Sequence, residues 1–183
     1  MCTLHHPSGI SRRGFGSLAV ASAGLSFLPF RAWAAGHAEA MCFLCIQYGL
    51  VNDSVAFFNH TVPDRKYDLT ALAGASLSGV LTTFPDAVPG FWKQIELAKS
   101  LHSISKVHIL DHMNCGAYWA QFNDGRPMQP PAERTAHRET MAKVRQAFVN
   151  RFSNSMQLDF FLMETTVNNR GDVLPGPINP VNV

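Results

Sequence analysis

Apolar runs of strand length constrain the fold of this chain more than any other feature. The run "MCFLCIQYGL" at residues 41–50 is almost continuously apolar, which is typical of a strand covered on both faces of a parallel sheet. The runs "KVHILDH" at 106–112 and "LDFFLMETTV" at 158–167 also have strand character. "YDLTALAGASL" at 67–77 predicts a short strand that leads into a turn of small residues. These segments predict a sheet of about four strands within residues 41–165.

The segments between these runs have helical character. "NDSVAFFNH" at 52–60 predicts a helix capped by Asn52 or Asp53. From Asp86 onward, apolar residues are spaced as on one face of an amphipathic helix: Phe91, Ile95, Leu97, Ala98 and Leu101. "ERTAHRETMAKVRQAFVNRF" at 133–152 predicts a long helix, and the tail "GDVLPGPINPVNV" at 171–183 predicts an extended surface segment. Strands that alternate with helices indicate a single α/β domain with a mainly parallel central sheet flanked by helices.

The first 34 residues have the character of an export signal. Arg12 and Arg13 precede an apolar segment, and Ala32-Trp33-Ala34 provides a small-x-small cleavage pattern. Paired arginines mark the twin-arginine route. The apolar segment is shorter than the roughly 20 residues of a membrane-spanning helix, which disfavours an uncleaved anchor. We predict cleavage after Ala34, a periplasmic location, and a mature domain over residues 35–183 that ends in an extended tail.

Charge excludes some partners of the mature chain. The signal contains three of the fifteen Lys and Arg residues and none of the thirteen acidic ones, so the mature chain has twelve basic side chains against thirteen acidic ones. No long basic run remains after residue 34. We therefore expect neither nucleic acid nor a membrane surface as a partner of the mature protein.

The cysteines point to a metal site or a free thiol. Of four cysteines, Cys2 is removed with the signal, which leaves Cys42, Cys45 and Cys115. An odd number of cysteines in an exported protein argues against a simple disulfide framework.

Residues that can bind a metal ion lie at the ends of two predicted strands. In an open parallel sheet, ligands bind at the carboxyl ends of the strands. Cys45 lies toward the end of the first strand, and His112 and Cys115 directly follow "KVHIL", so these three side chains can converge. Two thiolates and an imidazole suit Zn²⁺, and three protein ligands leave a fourth tetrahedral position open.

Other interpretations of these residues remain open. Free cysteines are often small buried hydrophobes, and Cys42 could complete a closed structural Cys3His zinc site. Residues three apart on a strand face opposite sides of a sheet, which opposes the closed site. A redox Cys-x-x-Cys normally begins a helix, so that role is disfavoured too. Asp111 is interpreted as a cap of the next turn, with support of His112 as the alternative.

The remaining histidines and aromatics have structural interpretations. We expect surface or satisfied core positions for His60, His102, His108 and His137. We expect core or interface packing for Phe57, Phe58, Phe91 and Trp92.

Three segments together resemble the β-class carbonic anhydrases. They are "CIQYGLVNDSVAFFNH", "YDLTALAGASLSGV" and "KVHILDHMNCGAY", which cover most of residues 41–119. The resemblance is to a small bacterial branch whose first motif usually runs Cys-x-Asp-Tyr-Arg, and it continues more loosely through the last helix and strand. It implies the β-carbonic anhydrase fold and a homodimer or higher homo-oligomer.

The resemblance also implies a site and a reaction. By position, zinc is held by Cys45, His112 and Cys115, and residues 73–75 line the site. The family reaction is the reversible hydration of carbon dioxide to bicarbonate by zinc-bound hydroxide, so the implied substrate is a small molecule.

Two positions depart from the family pattern. The family has an acidic residue two positions after the first cysteine, which accepts a hydrogen bond from the hydroxide, and an arginine two further on that holds this acid. Here they are Gln47 and Gly49. Glutamine cannot take a proton or a negative charge. We therefore predict a carbonic anhydrase-like zinc protein with impaired hydration. The alternatives are a non-catalytic zinc-binding relative and a zinc hydrolase or lyase for another small electrophile.

Overall fold

The computed structural model describes residues 36–83 and 85–183, so the predicted signal at 1–34 lies outside the described residues. Five strands and four α-helices make up the described domain. The strands are β1 (Ala40–Leu44), β2 (Tyr67–Ala71), β3 (Lys106–His112), β4 (Gln157–Val167) and β5 (Val173–Val181). The helices are α1 (Val51–Thr61), α2 (Ala87–His102), α3 (Gly116–Phe122) and α4 (Pro130–Phe152). No helix among these residues is long and apolar enough to span a bilayer.

The strands form one mostly parallel sheet in the order β2-β1-β3-β4-β5. Strands β1 to β4 pair in parallel, and β5 pairs antiparallel with β4. The predicted α/β domain with a mainly parallel central sheet flanked by helices is therefore confirmed. The carboxyl ends of β1 and β3 lie side by side, because Leu44 pairs with Leu110.

The C-terminal tail differs from its prediction. Instead of extending over the surface, residues 173–181 form the antiparallel edge strand β5. Its prolines argued against a strand in the sequence. An edge strand tolerates proline, however, because positions that face away from the neighbouring strand need no N–H for pairing. Gly176 permits the close pairing, since a Cβ there would lie 2.7 Å from the carbonyl oxygen of Glu164.

Alternating residues of the strands supply two separate cores. On one face, Val107 and Ile109 of β3 pack with buried residues of α2 and α4. On the other face, Leu110 packs with Cys42 and Leu44 of β1 and with Phe58 of α1. Both faces of the central strands are thus covered, which explains why the β1 and β3 segments are apolar without polar alternation.

Helix α2 buries a narrower stripe than the sequence indicated. Phe91 and Ile95 are fully buried, whereas Leu97 and Leu101 are 39% and 41% exposed. At 100° per residue, positions six and ten after Phe91 point well away from it. Trp92 is buried instead, and its indole N–H donates a hydrogen bond to the carbonyl of Gly79 at 3.0 Å.

Three helix predictions need correction. Helix α1 begins at Val51 with Leu50 as N-cap residue, so neither Asn52 nor Asp53 caps it, and both lie within its first turn. Helix α3 was not predicted; its seven residues are too short to show a clear apolar period. Helix α4 begins at Pro130 rather than Glu133, because proline is well suited to the first helical position.

The buried face of α2 can be tested by truncation. We expect Phe91→Ala to lower the free energy of unfolding by about 3–5 kcal/mol, because it empties a fully buried site. The matched change Leu101→Ala, on the exposed side of the same helix, should alter it by only about 0.5 kcal/mol. Urea denaturation followed by circular dichroism measures both. Equal losses would contradict the assigned orientation of α2.

Candidate metal centre

The edge of the sheet at the carboxyl ends of β1 and β3 brings together the three predicted ligand residues. Cys45 directly follows β1, His112 is the last residue of β3, and Cys115 is the N-cap residue of α3. All three are buried, with exposed fractions of 9%, 3% and 1%. The parallel pairing of β1 with β3 places these segments at the same edge.

The three side chains are close enough to bind one ion. Their ligand atoms all lie within 4.8 Å of one another, and the two sulfur atoms are 3.9 Å apart. Zn–S bonds of about 2.3 Å at a tetrahedral angle require two sulfurs to be about 3.8 Å apart. The donor set and the sulfur separation therefore fit zinc.

His112 is held with one ring nitrogen directed to the site. Its Nδ1 is 2.8 Å from the carbonyl oxygen of Met113, so Nδ1 carries the proton and donates to that oxygen. Its Nε2 is buried and has no hydrogen-bond partner among the described residues. A buried imidazole nitrogen without a partner is costly, and a bound cation would satisfy it.

The electrostatics of the site favour one ionised thiol. The hydrogen bond from the Cys115 thiol, aided by His112 and opposed by burial, lowers the pKa of Cys45 to about 4. The same hydrogen bond and burial raise the pKa of Cys115 well above its usual value. Burial lowers the pKa of His112, but the negative charge of the nearby Cys45 thiolate and the hydrogen bond to the Met113 carbonyl outweigh this effect and raise it overall.

The turn after β2 contacts Cys45 through Gly74, one of the three residues that the resemblance places along the site. The backbone N–H of Gly74 donates to the Cys45 sulfur at 3.3 Å. Gly74 has a φ of +70°, and a Cβ there would lie 2.9 Å from the Cβ of Leu77. Glycine at position 74 therefore permits the left-handed backbone and the close packing of this turn.

Cys42 lies apart from this group. It is fully buried on the face of the sheet that packs against α1, among Ala40 and Leu44, whereas Cys45 belongs to a separate cluster with Leu77 and Cys115. Burial, together with the charge of Asp68, strongly raises the pKa of Cys42. Its environment is that of a small buried hydrophobe.

Asp111 is not the helix-capping residue that we expected. Its side chain is 1% exposed and lies inside the domain next to His112. It accepts hydrogen bonds from the Ser76 N–H at 2.9 Å, the Ser76 hydroxyl at 2.5 Å and the Tyr118 hydroxyl at 2.7 Å. His137 Nδ1 is a fourth donor at 3.0 Å. Burial raises the pKa of Tyr118 well above its usual value, so its hydroxyl stays a donor.

Sequence reasoning missed Glu133, and it allowed a core position for His137 without connecting that residue to the site. Glu133 accepts a hydrogen bond from the backbone N–H of Cys115 at 2.9 Å and is 1% exposed. A signal for this existed in the sequence. Glu133, His137 and Thr140 are spaced along the same face of α4 as the apolar Met141, Val144 and Phe148, and polar residues on such a face indicate polar partners inside the fold.

Gln47 and Gly49, at the positions where the resemblance implies an acid and an arginine, follow Cys45, and Gly49 lies beside the start of β5. Gln47 is half-buried, and its carbonyl oxygen accepts a hydrogen bond from the Leu50 N–H at 2.9 Å. A Cβ at Gly49 would lie 3.2 Å from the carbonyl oxygen of Val173. The start of β5 therefore restricts the space that a side chain at position 49 requires.

The remaining histidines and aromatics, which we expected on the surface or in the core, lie in the following positions. His60 is exposed, and His102 pairs with Asp68 at 2.7 Å. His108 is buried with Nδ1 3.3 Å from a carboxylate oxygen of Asp159, but Nδ1 makes no hydrogen bond among the described residues, so the expected satisfied core position is not found. The aromatics Phe58, Phe91 and Trp92 are buried, whereas Phe57 is half-buried.

No protein-family model matches this chain. Similar sequences include an uncharacterized protein of Rickettsia bellii, 26% identical over 126 residues, which cover 69% of this chain and 76% of that protein. An uncharacterized protein of Rickettsia conorii is 24% identical over 126 residues, covering 69% and 67%. These identities are too low to establish a family.

Similar solved structures include two carbonic anhydrases. The β-carbonic anhydrase CafA of Aspergillus fumigatus has a TM-score of 0.47 and 13% identity, covering 80% of this chain and 76% of that chain. A carbonic anhydrase from Glaciozyma antarctica has a TM-score of 0.41 and 8% identity, covering 77% and 83%. TM-scores below 0.5 are too low to establish a shared fold, so the case for a related activity depends on the site residues themselves.

Proposed function

We propose that this protein is a carbonic anhydrase-like zinc protein that binds one Zn²⁺ through Cys45, His112 and Cys115. One observation carries the proposal: three buried side chains with the ligand chemistry of zinc have their donor atoms within 4.8 Å of one another. The unpartnered Nε2 of His112 and the sulfur separation support it. The motif resemblance to the β-class carbonic anhydrases supplies the reaction class.

The chain's own groups prepare this site. The carbonyl of Met113 fixes the His112 tautomer so that Nε2 offers its lone pair. The Gly74 N–H stabilises negative charge on Cys45. When bound, zinc supplies Lewis acidity and lowers the pKa of a water molecule at its open position.

We propose that carbon dioxide hydration by this protein is slow. Gln47 can donate and accept hydrogen bonds but cannot hold a negative charge or accept a proton. Loss of an orienting group in an enzyme site typically costs a factor of about 10² to 10⁴. A non-catalytic zinc-binding role is the second candidate, and the proximity of β5 to Gly49, which restricts the space for an arginine, favours it.

Metal analysis tests the ligand set. We expect purified wild-type protein to contain about one zinc per chain, and Cys45→Ser, His112→Ala and Cys115→Ser to lose most of it. Cys42→Ser is the matched control and should retain zinc, because Cys42 packs in a different core. Equal zinc loss in Cys42→Ser and Cys45→Ser would instead indicate a closed site with four protein ligands.

A stopped-flow assay of carbon dioxide hydration separates the two candidate functions. Zinc-loaded wild type should be slow, and Gln47→Asp with Gly49→Arg should raise the rate by about 10²-fold or more if only the dyad is missing. Because a Cβ at position 49 would approach the Val173 carbonyl, the single variants Gln47→Asp and Gly49→Ala should be measured beside the double variant. Thermal melting of each variant measures the stability that the added side chain removes.

Each outcome of this assay favours one candidate. A large gain in hydration rate for the double variant supports an anhydrase that is slow because it lacks the aspartate and the arginine. No gain in a folded, zinc-loaded double variant supports the non-catalytic role. Substantial wild-type activity that disappears with His112→Ala would contradict the proposal of slow hydration, because zinc would then suffice without the dyad.

We also propose that the protein reaches the periplasm by the twin-arginine route and is cleaved after Ala34. Arg12 and Arg13 before the apolar segment, and Ala32 and Ala34 at the cleavage site, support this. Replacing both arginines with lysine should retain the precursor in the cytoplasm, as measured by cell fractionation and immunoblotting. Unchanged export of the double variant would contradict the route.

A further inference from the structure

Helix α4 holds the segment that contains His112 and Cys115 at both of its ends. At one end, His137 Nδ1 lies 3.0 Å from the carboxylate of Asp111, the residue before His112. At the other end, Glu133 accepts the backbone N–H of Cys115 at 2.9 Å. Glu133 and His137 are four residues apart on the helix, and Asp111 and Cys115 are four residues apart on the segment. One turn of α4 thus spans the whole ligand segment.

The chemistry of Glu133 is unusual for a purely structural contact. Its side chain is 1% exposed, and Oε2 has no hydrogen-bond partner among the described residues. A buried carboxylate with a single hydrogen bond costs free energy, and a neutral apolar residue at this helix position would avoid that cost. The one bond that it makes is to the backbone of a predicted ligand.

His137 lies between the two ends of the segment and bonds to Asp111, while its Nε2 has no hydrogen-bond partner among the described residues. It is fully buried, and while Nδ1 faces Asp111, its Nε2 lies 4.0 Å from Glu133 Oε1. The ring also packs against Tyr118, with centroids 3.7 Å apart, and Tyr118 donates to Asp111 as well. The position of the segment between His112 and Cys115 therefore depends on a connected set of buried polar groups on α4 and α3.

The opposite side of the segment is held by β4. The Met113 N–H donates to the Met163 carbonyl at 3.0 Å, and the Thr165 hydroxyl donates to the Met113 carbonyl at 2.7 Å. Asn114 is also bonded to the Thr165 hydroxyl, at 2.9 Å. These contacts fix the middle of the segment but not Cys115, whose backbone N–H bonds to Glu133.

We propose that Glu133 and His137 are positioning residues of the metal centre, which hold Cys115 and His112 at the separation that a single ion requires. Glu133 acts through the peptide N–H of Cys115, and His137 acts through Asp111. This role rests on the proposed metal site. Loss of a group that orients metal ligands typically lowers metal affinity about 10- to 100-fold.

The test compares metal binding by variants that keep or remove each hydrogen bond. Glu133→Ala removes the acceptor for Cys115, whereas Glu133→Gln keeps an acceptor of the same reach. His137→Leu removes the donor to Asp111, whereas His137→Asn keeps a donor at the place of Nδ1. Glu139→Ala changes an exposed glutamate of the same helix and is the matched control. Reduced, metal-free full-length chains are titrated with Zn²⁺ against a chelator and with Co²⁺.

We expect Glu133→Ala and His137→Leu to bind Zn²⁺ about 10- to 100-fold more weakly than wild type. The visible absorption of their Co²⁺ forms should also change, because the ligand geometry is altered. Glu133→Gln, His137→Asn and Glu139→Ala should bind Zn²⁺ like wild type and give its Co²⁺ spectrum. A purely structural role would lower the melting temperature of the metal-free protein but leave the affinity and spectrum unchanged.

Two results would overturn the proposal, one by contradicting the positioning role and the other by contradicting the metal site. If Glu133→Ala and His137→Leu fold and bind Zn²⁺ with wild-type affinity and spectrum, the positioning role is wrong although the metal site stands. If wild type binds neither Zn²⁺ nor Co²⁺, the metal site itself is wrong. If Glu133→Ala and His137→Leu fail to fold, Glu133→Gln and His137→Asn decide the question. These two variants keep the hydrogen bonds, so altered Co²⁺ spectra in both would contradict the proposed role of those bonds.

Discussion

The parallel pairing of β1 with β3 is the interaction on which the rest of the site depends. Their register places Leu44 beside Leu110, so both chains leave the sheet at the same edge. Cys45 then emerges next to Asp111 and His112, although 66 to 67 residues separate them along the chain. The pairing is stable because both faces of these strands are covered by separate apolar cores.

The buried carboxylate of Asp111 adds a second constraint. An ion taken out of water costs several kcal/mol unless it is well bonded, and Asp111 has donors from Ser76, Tyr118 and His137. These residues come from the turn after β2, from α3 and from α4. The carboxylate therefore ties three connecting segments to the end of β3, and the same segments surround the cysteines. If one of these segments packed incorrectly, the Asp111 carboxylate would lose a hydrogen-bond donor.

Under the proposed function, the three ligand residues and the residues at positions 47 and 49 have different consequences for the chemistry. The buried Cys45, His112 and Cys115 cluster can hold a cation without help from positions 47 and 49. Gly49 lies beside the start of β5, where a Cβ would approach the Val173 carbonyl oxygen to 3.2 Å. Under the proposed function, metal binding therefore depends on the three buried ligand residues, whereas rapid hydration would also depend on the residues at positions 47 and 49.

The sequence by itself determined the elements with a strong local signal. The apolar runs of β1, β3 and β4, the small-residue turn near Gly74 and most of α4 were predictable from period, composition and length. The grouping of Cys45, His112 and Cys115 was also predictable, because side chains at the carboxyl ends of parallel strands share one edge. The alternation of strands and helices indicates that the strands are parallel, whereas the structure supplies the adjacency of β1 and β3.

Only the tertiary structure decided the remaining features. The proline-rich segment at 173–181 becomes a strand because β4 offers it an edge, and no local preference indicates such a partner. Trp92 is buried in place of Leu97 because the rotation of α2 on the sheet selects one stripe. Asp111 looked like a cap because capping is a local role, whereas its actual donors are 26 to 35 residues away for His137 and Ser76. Contacts of this range depend on how the segments pack, and sequence periodicity contains no information about that packing.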